Sequence, residues 1–136
     1  MIAFLDASAL IYLIEGNEPF SGRVRSTMLE LAHGHPGIGI AVSRLTWLEC
    51  RVGPMKKGDA ASLSAYDAFF ARQDLVWVEL TREVVELATV VRFRHGLHTP
   101  DALQAACCLQ LGPDHVLLTG DAAFQRVAGL NVHLLA

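Results

Sequence analysis

Residues 1–10, MIAFLDASAL, begin with an apolar run that stops at a carboxylate. The run from Ile2 to Leu5 has the length and composition of a buried strand, and Asp6 and Ser8 follow it directly. A carboxylate at this point either caps the next helix or belongs to a site, because parallel α/β sheets bind ligands beyond the carboxyl ends of their strands. The rest of the sequence is needed to decide between these roles.

Short apolar runs alternate with longer stretches of helical period along the whole chain, which predicts an α/β layer fold with a mostly parallel sheet of about five strands. The predicted strands are residues 2–5, 38–42, 75–80, 115–121 (with an exit turn) and 132–135. The predicted helices are residues 8–14, 21–32, 44–52, 59–73, 84–95, 99–111 and 122–127.

Several helix ends are predicted from single residues. Gly53 and Pro54 predict the end of the third helix, and Thr99 followed by Pro100 predicts a cap and a first helical residue. Two further N-caps are predicted at Asp59 and Thr81.

Length and composition favour one soluble domain over residues 1–136. No apolar stretch has the roughly 18 residues that cross a bilayer, and Met1 leads into a strand without the basic flank of a signal peptide, so we expect a cytoplasmic protein. The three cysteines, Cys50, Cys107 and Cys108, show no CxxC spacing and are expected to be reduced core thiols.

Four carboxylates stand out from their surroundings. Asp6 and Asp121 follow predicted strands, whereas Glu49 and Asp101 lie in mostly apolar helices. Taken singly, Asp6 and Asp121 are ordinary caps, Asp101 is an ordinary first-turn acid and Glu49 is an ordinary exposed residue. If the four converge, too few bases lie nearby to pair with them, and a divalent cation, Mg²⁺ or Mn²⁺, is the simplest partner for these hard oxygen ligands.

Four segments occur in an order and at intervals that resemble PIN domains, and most of all the VapC toxins of type II toxin–antitoxin pairs. They are FLDASALIYLIEG, SRLTWLECRVGPMKKGD, TPDALQAA and LLTGDAAF. The resemblance spans nearly the whole chain and implies a three-layer α/β/α sandwich with a parallel sheet. It also implies a metal-dependent endoribonuclease that hydrolyses RNA through metal-activated water, a homodimer, and an antitoxin that blocks the acidic site.

The resemblance carries the family's acids onto Asp6, Glu49, Asp101 and Asp121, as ligands of Mg²⁺ or Mn²⁺, with Ser8 and Thr119 as supporting hydroxyls. Many relatives have a further acid where this chain has Ala123. A second metal position would therefore lack this ligand here.

The net charge of −3 is not that of a general nucleic-acid binder, so contacts with RNA phosphates must come from local bases. The candidates cluster around Glu49: Arg44, Arg51, Lys56 and Lys57. The apolar stripes on the first two helices are wider than one buried face requires, so we expect the remaining surface to bind a second copy or an antitoxin. The residues of these stripes are Leu10, Leu13, Ile14, Met28, Leu29 and Ala32. Two other functions remain open, a non-catalytic PIN-like binding or scaffold protein and a PIN nuclease of RNA processing or of DNA.

Overall fold

The computed structural model describes residues 1–136. The strands are β1 (Ile2–Leu5), β2 (Gly39–Ser43), β3 (Leu75–Val78), β4 (His115–Thr119) and β5 (Val132–Leu134). The helices are α1 (Ala7–Glu15), α2 (Phe20–Gly34), α3 (Arg44–Lys57), α4 (Ala60–Phe70), α5 (Arg82–His95) and α6 (Thr99–Leu109), and a short 3₁₀ helix covers Ala122–Arg126. Every predicted element is present, in the predicted order.

The five strands form one sheet in the order β3-β2-β1-β4-β5, and all four strand pairs are parallel. Strand β1 lies at the centre, where Ile2 is opposite Gly39 of β2 and His115 of β4. Because every strand runs in the same direction, all five carboxyl ends meet at one edge of the sheet. Asp6 and Asp121 both follow strands at that edge.

Helices cover both faces of the sheet. Successive side chains of β1 point to opposite faces and all are apolar, so both faces must be covered. Phe4 packs into a core shared with α5 and α6, whereas Ala3 and Leu5 pack into a second core with α1, α2 and α4. This arrangement confirms the predicted three-layer α/β/α sandwich. None of the helices is long and apolar enough to cross a membrane.

The predicted end of the third helix is wrong. Helix α3 continues through Gly53 and Pro54 to Lys57, and its C-cap is Gly58, whose φ of +64° is left-handed. Pro54 has no amide proton and cannot donate the helical hydrogen bond of its position. Its side chain is nevertheless buried, and its carbonyl accepts from the Asp59 amide at 2.9 Å. Tertiary packing therefore overrides the local signal to stop.

Two other predicted boundaries also differ. The N-cap of α6 is His98 and not Thr99, so Pro100 lies one position further into the first turn. Helix α4 ends at Phe70, three residues before the predicted end, although Asp59 caps it as expected by accepting from the Ser62 amide at 3.1 Å. These shifts do not move any residue of the candidate site.

Candidate functional site

Asp6 is buried at the carboxyl end of the central strand, with 5% of its surface exposed. Its Oδ1 atom accepts from the Ala9 amide at 2.9 Å and from Ser8 Oγ at 2.7 Å, and its Oδ2 atom accepts from Thr119 Oγ1 at 2.5 Å. Asp6 is therefore both the N-cap of α1 and a fixed carboxylate at the sheet edge. The predicted cap is confirmed, and Asp6 lies at the edge of the sheet where a site was predicted.

The turn after β4 is joined to Asp6 through the two hydroxyls. Thr119 Oγ1 accepts from the Asp121 amide at 3.0 Å, and Ser8 Oγ accepts from the Gly120 amide at 3.0 Å. A Cβ on Gly120 would lie 2.5 Å from the Tyr12 hydroxyl, so any larger residue here would require the Tyr12 side chain to move. Ser8 and Thr119 thus couple the exits of β1 and β4.

Asp121 is exposed and caps the 3₁₀ helix, where its Oδ1 atom accepts from the Ala123 amide at 2.9 Å. Ala123 lies inside that helix. Asp101 lies in the first turn of α6 and is half-buried, beside the His98 that begins the helix.

Glu49 enters the site from α3 and is half-buried. Its Oε1 atom accepts from Gln104 Nε2 at 3.0 Å, and the same amide nitrogen donates to Thr46 Oγ1 at 2.8 Å. Gln104 Oε1 in turn accepts from Ser43 Oγ at 2.7 Å. Gln104, Thr46 and Ser43 were not predicted from sequence; the available signal was that Gln104 lies three residues after Asp101, on the same face of one helix.

All four predicted acids line one cavity of about 190 Å³ at the sheet edge. The other lining residues are Ala7, Ser8, Gln104 and Phe124. The structure therefore brings together Asp6, Glu49, Asp101 and Asp121 from four different elements.

Burial and mutual repulsion act on these carboxyl groups together. Desolvation raises the pKa of Asp6, and the charge of Asp101 raises it further, against the lowering effect of the three hydrogen bonds. Desolvation also raises the pKa of Glu49, with added repulsion from Asp6 and Asp101. The pKa of Asp101 is raised by desolvation and by Asp121, whereas His98 lowers it.

The donor set suits a divalent cation. Its members are hard carboxylate oxygens that lie near one another without a compensating lysine or arginine, which is the ligand chemistry of Mg²⁺ and Mn²⁺. No three acidic, histidine or cysteine side chains are close enough in this conformation to hold an ion as a finished coordination shell. The residues fit the ion by their chemistry and by their common location in one cavity.

The predicted phosphate contacts fall into two groups. Arg44 forms a paired contact with Glu79 at 2.7 and 2.9 Å and lies 4.0 Å from the centre of the Trp77 ring. Arg51 pairs with Asp67 and stacks on Trp47. Each arginine already has a carboxylate partner.

Lys56 and Lys57 are exposed in the last turn of α3 and form no salt bridge. Lys57 also lines a small cavity that reaches Glu49. Among the four candidates, the lysines are therefore the bases free to meet a phosphate.

The three cysteines are free and buried, as expected for core thiols. Burial raises the pKa of Cys107 to about 12, and it also raises the pKa of Cys50 and Cys108. Such thiols stay protonated and are poor metal ligands or nucleophiles.

Comparison with known proteins agrees with the fold. Residues 3–130 match the family model of the PIN domain. No curated protein matches the chain significantly by sequence.

Several solved structures share the fold. A chain of VapBC2 from Rickettsia felis, bound to a DNA fragment from the promoter, is 19% identical over 98% of both chains, with a TM-score of 0.77. A chain of DNA-bound VapBC from Salmonella typhimurium is 17% identical over 100% of this chain and 99% of that one, with a TM-score of 0.75. VapC20 of Mycobacterium tuberculosis, described as a sarcin–ricin loop cleaving toxin, is 18% identical over 90% and 92%, with a TM-score of 0.69.

The family model spans nearly the whole chain, and these structures share the complete sandwich. This chain belongs to the PIN domain family.

Proposed function

We propose that this protein is a divalent-metal-dependent endoribonuclease and the toxin of a type II toxin–antitoxin pair. The observation that carries the proposal is the single cavity lined by Asp6, Glu49, Asp101 and Asp121 at the carboxyl edge of the sheet. Membership of the PIN family and a fold shared with chains of VapBC complexes support the same function.

Asp6, Asp101, Asp121 and Glu49 are the residues that would hold Mg²⁺ or Mn²⁺. Such an ion supplies positive charge that eases ionisation of water and offsets charge on the leaving oxygen of a phosphodiester. Ser8 and Thr119 keep the Asp6 carboxylate in one orientation by donating a hydrogen bond to each oxygen. Asp121 lines the cavity and is exposed, so a substrate in solution can reach it.

The surface around the cavity supports an RNA substrate with few phosphate contacts. Arg44 is paired with Glu79, and Arg51 is paired with Asp67. We therefore assign the phosphate contacts mainly to Lys56 and Lys57. Each arginine would contact a phosphate only if RNA displaced its carboxylate partner.

Exposed apolar surface supports two protein partners, an antitoxin and a second copy of the chain. Leu10 is buried in the core, but Leu29 is 73% exposed and lines an apolar groove of about 510 Å³ with Leu13, Met28 and Ala32. On α3, Leu48, Val52 and Met55 are exposed on one side. Surfaces of this kind on a small domain are typical of interfaces.

The test is cleavage of total cellular RNA by protein stripped of metal with a chelator, with and without Mn²⁺, followed by mapping of 5′-phosphate ends. The variants are Asp6→Asn and Asp101→Asn, and Glu30→Gln is the matched control, because Glu30 is exposed on α2 and forms no salt bridge. We expect discrete ends that require metal and fall at least about 100-fold in both site variants, since even partners of metal ligands contribute about 10–100-fold.

A second candidate is a non-catalytic PIN-like binding protein, which is favoured by Ala123 in the place of a further acid and by the negative net charge. Identical end maps for wild type and both site variants in every metal condition would establish that candidate. Cleavage of DNA but not RNA in the same assay would assign the site to a DNA nuclease.

A further inference from the structure

Gln104 is a buried amide, 2% exposed, on the inner side of a helix whose other buried residues are alanines and cysteines. All three of its hydrogen bonds to side chains involve residues of β2 and α3. Its oxygen accepts from Ser43, and its nitrogen donates to Thr46 and Glu49. A buried side chain with three hydrogen-bond partners fixes how the elements it joins are oriented, and apolar packing alone does not require such a network.

The first turn of α3 determines which end of the amide faces Glu49. Ser43 Oγ accepts from the Thr46 amide at 3.1 Å as the helix N-cap, so its own proton is free to be donated to Gln104 Oε1. With the amide oxygen held at Ser43, the amide nitrogen points to Glu49. A flipped amide would place its oxygen against the Glu49 carboxylate, where the two oxygens repel each other.

We propose that Gln104 is a positioning residue that holds the Glu49 carboxylate in the acid cavity, and that Ser43 sets its orientation. The inference rests on the proposed function, since it assigns Glu49 a metal-holding role. Gln104 acts only through Glu49 and is not itself a ligand.

The need for such a residue follows from the surroundings of Glu49. Its side chain is long, and the nearby charges of Asp6 and Asp101 disfavour its charged form in the cavity. The bond from Gln104 engages only Oε1, and no group of the protein donates to Oε2. One oxygen is therefore anchored, and the other remains available in the cavity.

The test is a double-mutant cycle in Mn²⁺ affinity, measured by calorimetry or electron paramagnetic resonance on metal-stripped protein. Gln104→Met keeps the length of the side chain and removes its donor. We expect Mn²⁺ binding to weaken about tenfold in this variant. In a Glu49→Ala background, where there is no carboxylate to hold, the same change should have no further effect.

A merely structural role gives a different result. If Gln104→Met leaves Mn²⁺ affinity unchanged, or weakens it by the same factor with and without Glu49, the inference is overturned. Gln125→Met, an exposed glutamine of the 3₁₀ helix, is the control for the substitution itself.

A second measurement needs neither metal nor a Gln104 variant. In the metal-free protein, the side-chain amide signals of Gln104 in a ¹⁵N spectrum should shift in Glu49→Ala and not in Glu30→Ala. If wild type binds no Mn²⁺ but the signals shift, the proposed function fails while the Gln104–Glu49 contact stands. Unshifted signals would overturn the positioning role directly.

Discussion

Glu49 shows at the level of one residue how a binding site can weaken the fold that carries it. Burial and the nearby charges of Asp6 and Asp101 raise its pKa, so the folded protein binds this proton more tightly than the unfolded chain does. The stabilising effect of the proton is fully present below the unfolded pKa and is lost as pH rises through the folded pKa. At pH 7 the metal-free protein therefore carries an unfavourable charge.

Glu49→Gln should accordingly stabilise the metal-free protein at pH 7. The glutamine can still accept from Gln104 but carries no charge. We expect the midpoint of thermal unfolding in a chelator to shift upward by about 3–5 °C, which lies between the shifts that about 1 kcal/mol produces in smaller and in larger domains. Near pH 4 the difference from wild type should disappear, because both side chains are then neutral.

The addition of Mn²⁺ should reverse the order at pH 7, since the ion stabilises the folded state of wild type by binding to it. Glu30→Gln should match wild type in all these conditions. A Glu49→Gln variant that is less stable than wild type in the chelator would show that repulsion in the cavity is not the dominant effect.

At the level of the element, α3 depends on packing where its local sequence is weak. The helix includes Gly53 and Pro54 and extends to a left-handed Gly58. This extension places Lys56 and Lys57 in the last turn, where positive charge also suits the helix dipole. The length of α3 thus determines where the free lysines lie.

The two glycines of α3 should respond in opposite directions to alanine. Gly53 lies inside the helix, and a Cβ there would meet nothing within 4 Å, so Gly53→Ala should stabilise the protein by about 1 kcal/mol. Gly58→Ala should destabilise it by about 1 kcal/mol, because alanine is strained at a φ of +64°. Chemical denaturation of the two variants measures both effects, and a destabilising Gly53→Ala would argue that the helix ends before residue 53.

At the level of the whole molecule, charge is balanced locally instead of forming one basic face. The net charge is −3, and the arginines near the cavity are paired with Glu79 and Asp67. Binding of RNA should then depend on a few contacts and on the bound ion. A broad electrostatic field is absent from this arrangement.

The salt dependence of RNA binding measures this directly. With the Asp101→Asn variant and a single-stranded oligonucleotide, the slope of log affinity against log salt should lie between about −1 and −2, since each phosphate contact contributes about 0.7. Replacement of Lys56 and Lys57 by glutamine should flatten the slope, whereas Arg44→Gln should leave it nearly unchanged. A slope steeper than about −4 would reveal a basic surface that one chain does not present.

The sequence by itself determined the order of strands and helices along the chain and the location of two acids at strand ends. This was possible because hydrophobic period is a local property, and because parallel strands necessarily end at one edge. Asp6 and Asp121 could therefore be placed together before any coordinates were known.

Only the tertiary structure decided the rest. Gln104 meets Ser43 and Glu49 across 61 and 55 residues of chain, and Arg44 meets Glu79 across 35. Hydrogen-bond partners at such separations depend on how helices pack and not on any local pattern, as does the continuation of α3 through Pro54. Local periodicity specified the elements, and packing specified which polar groups face one another.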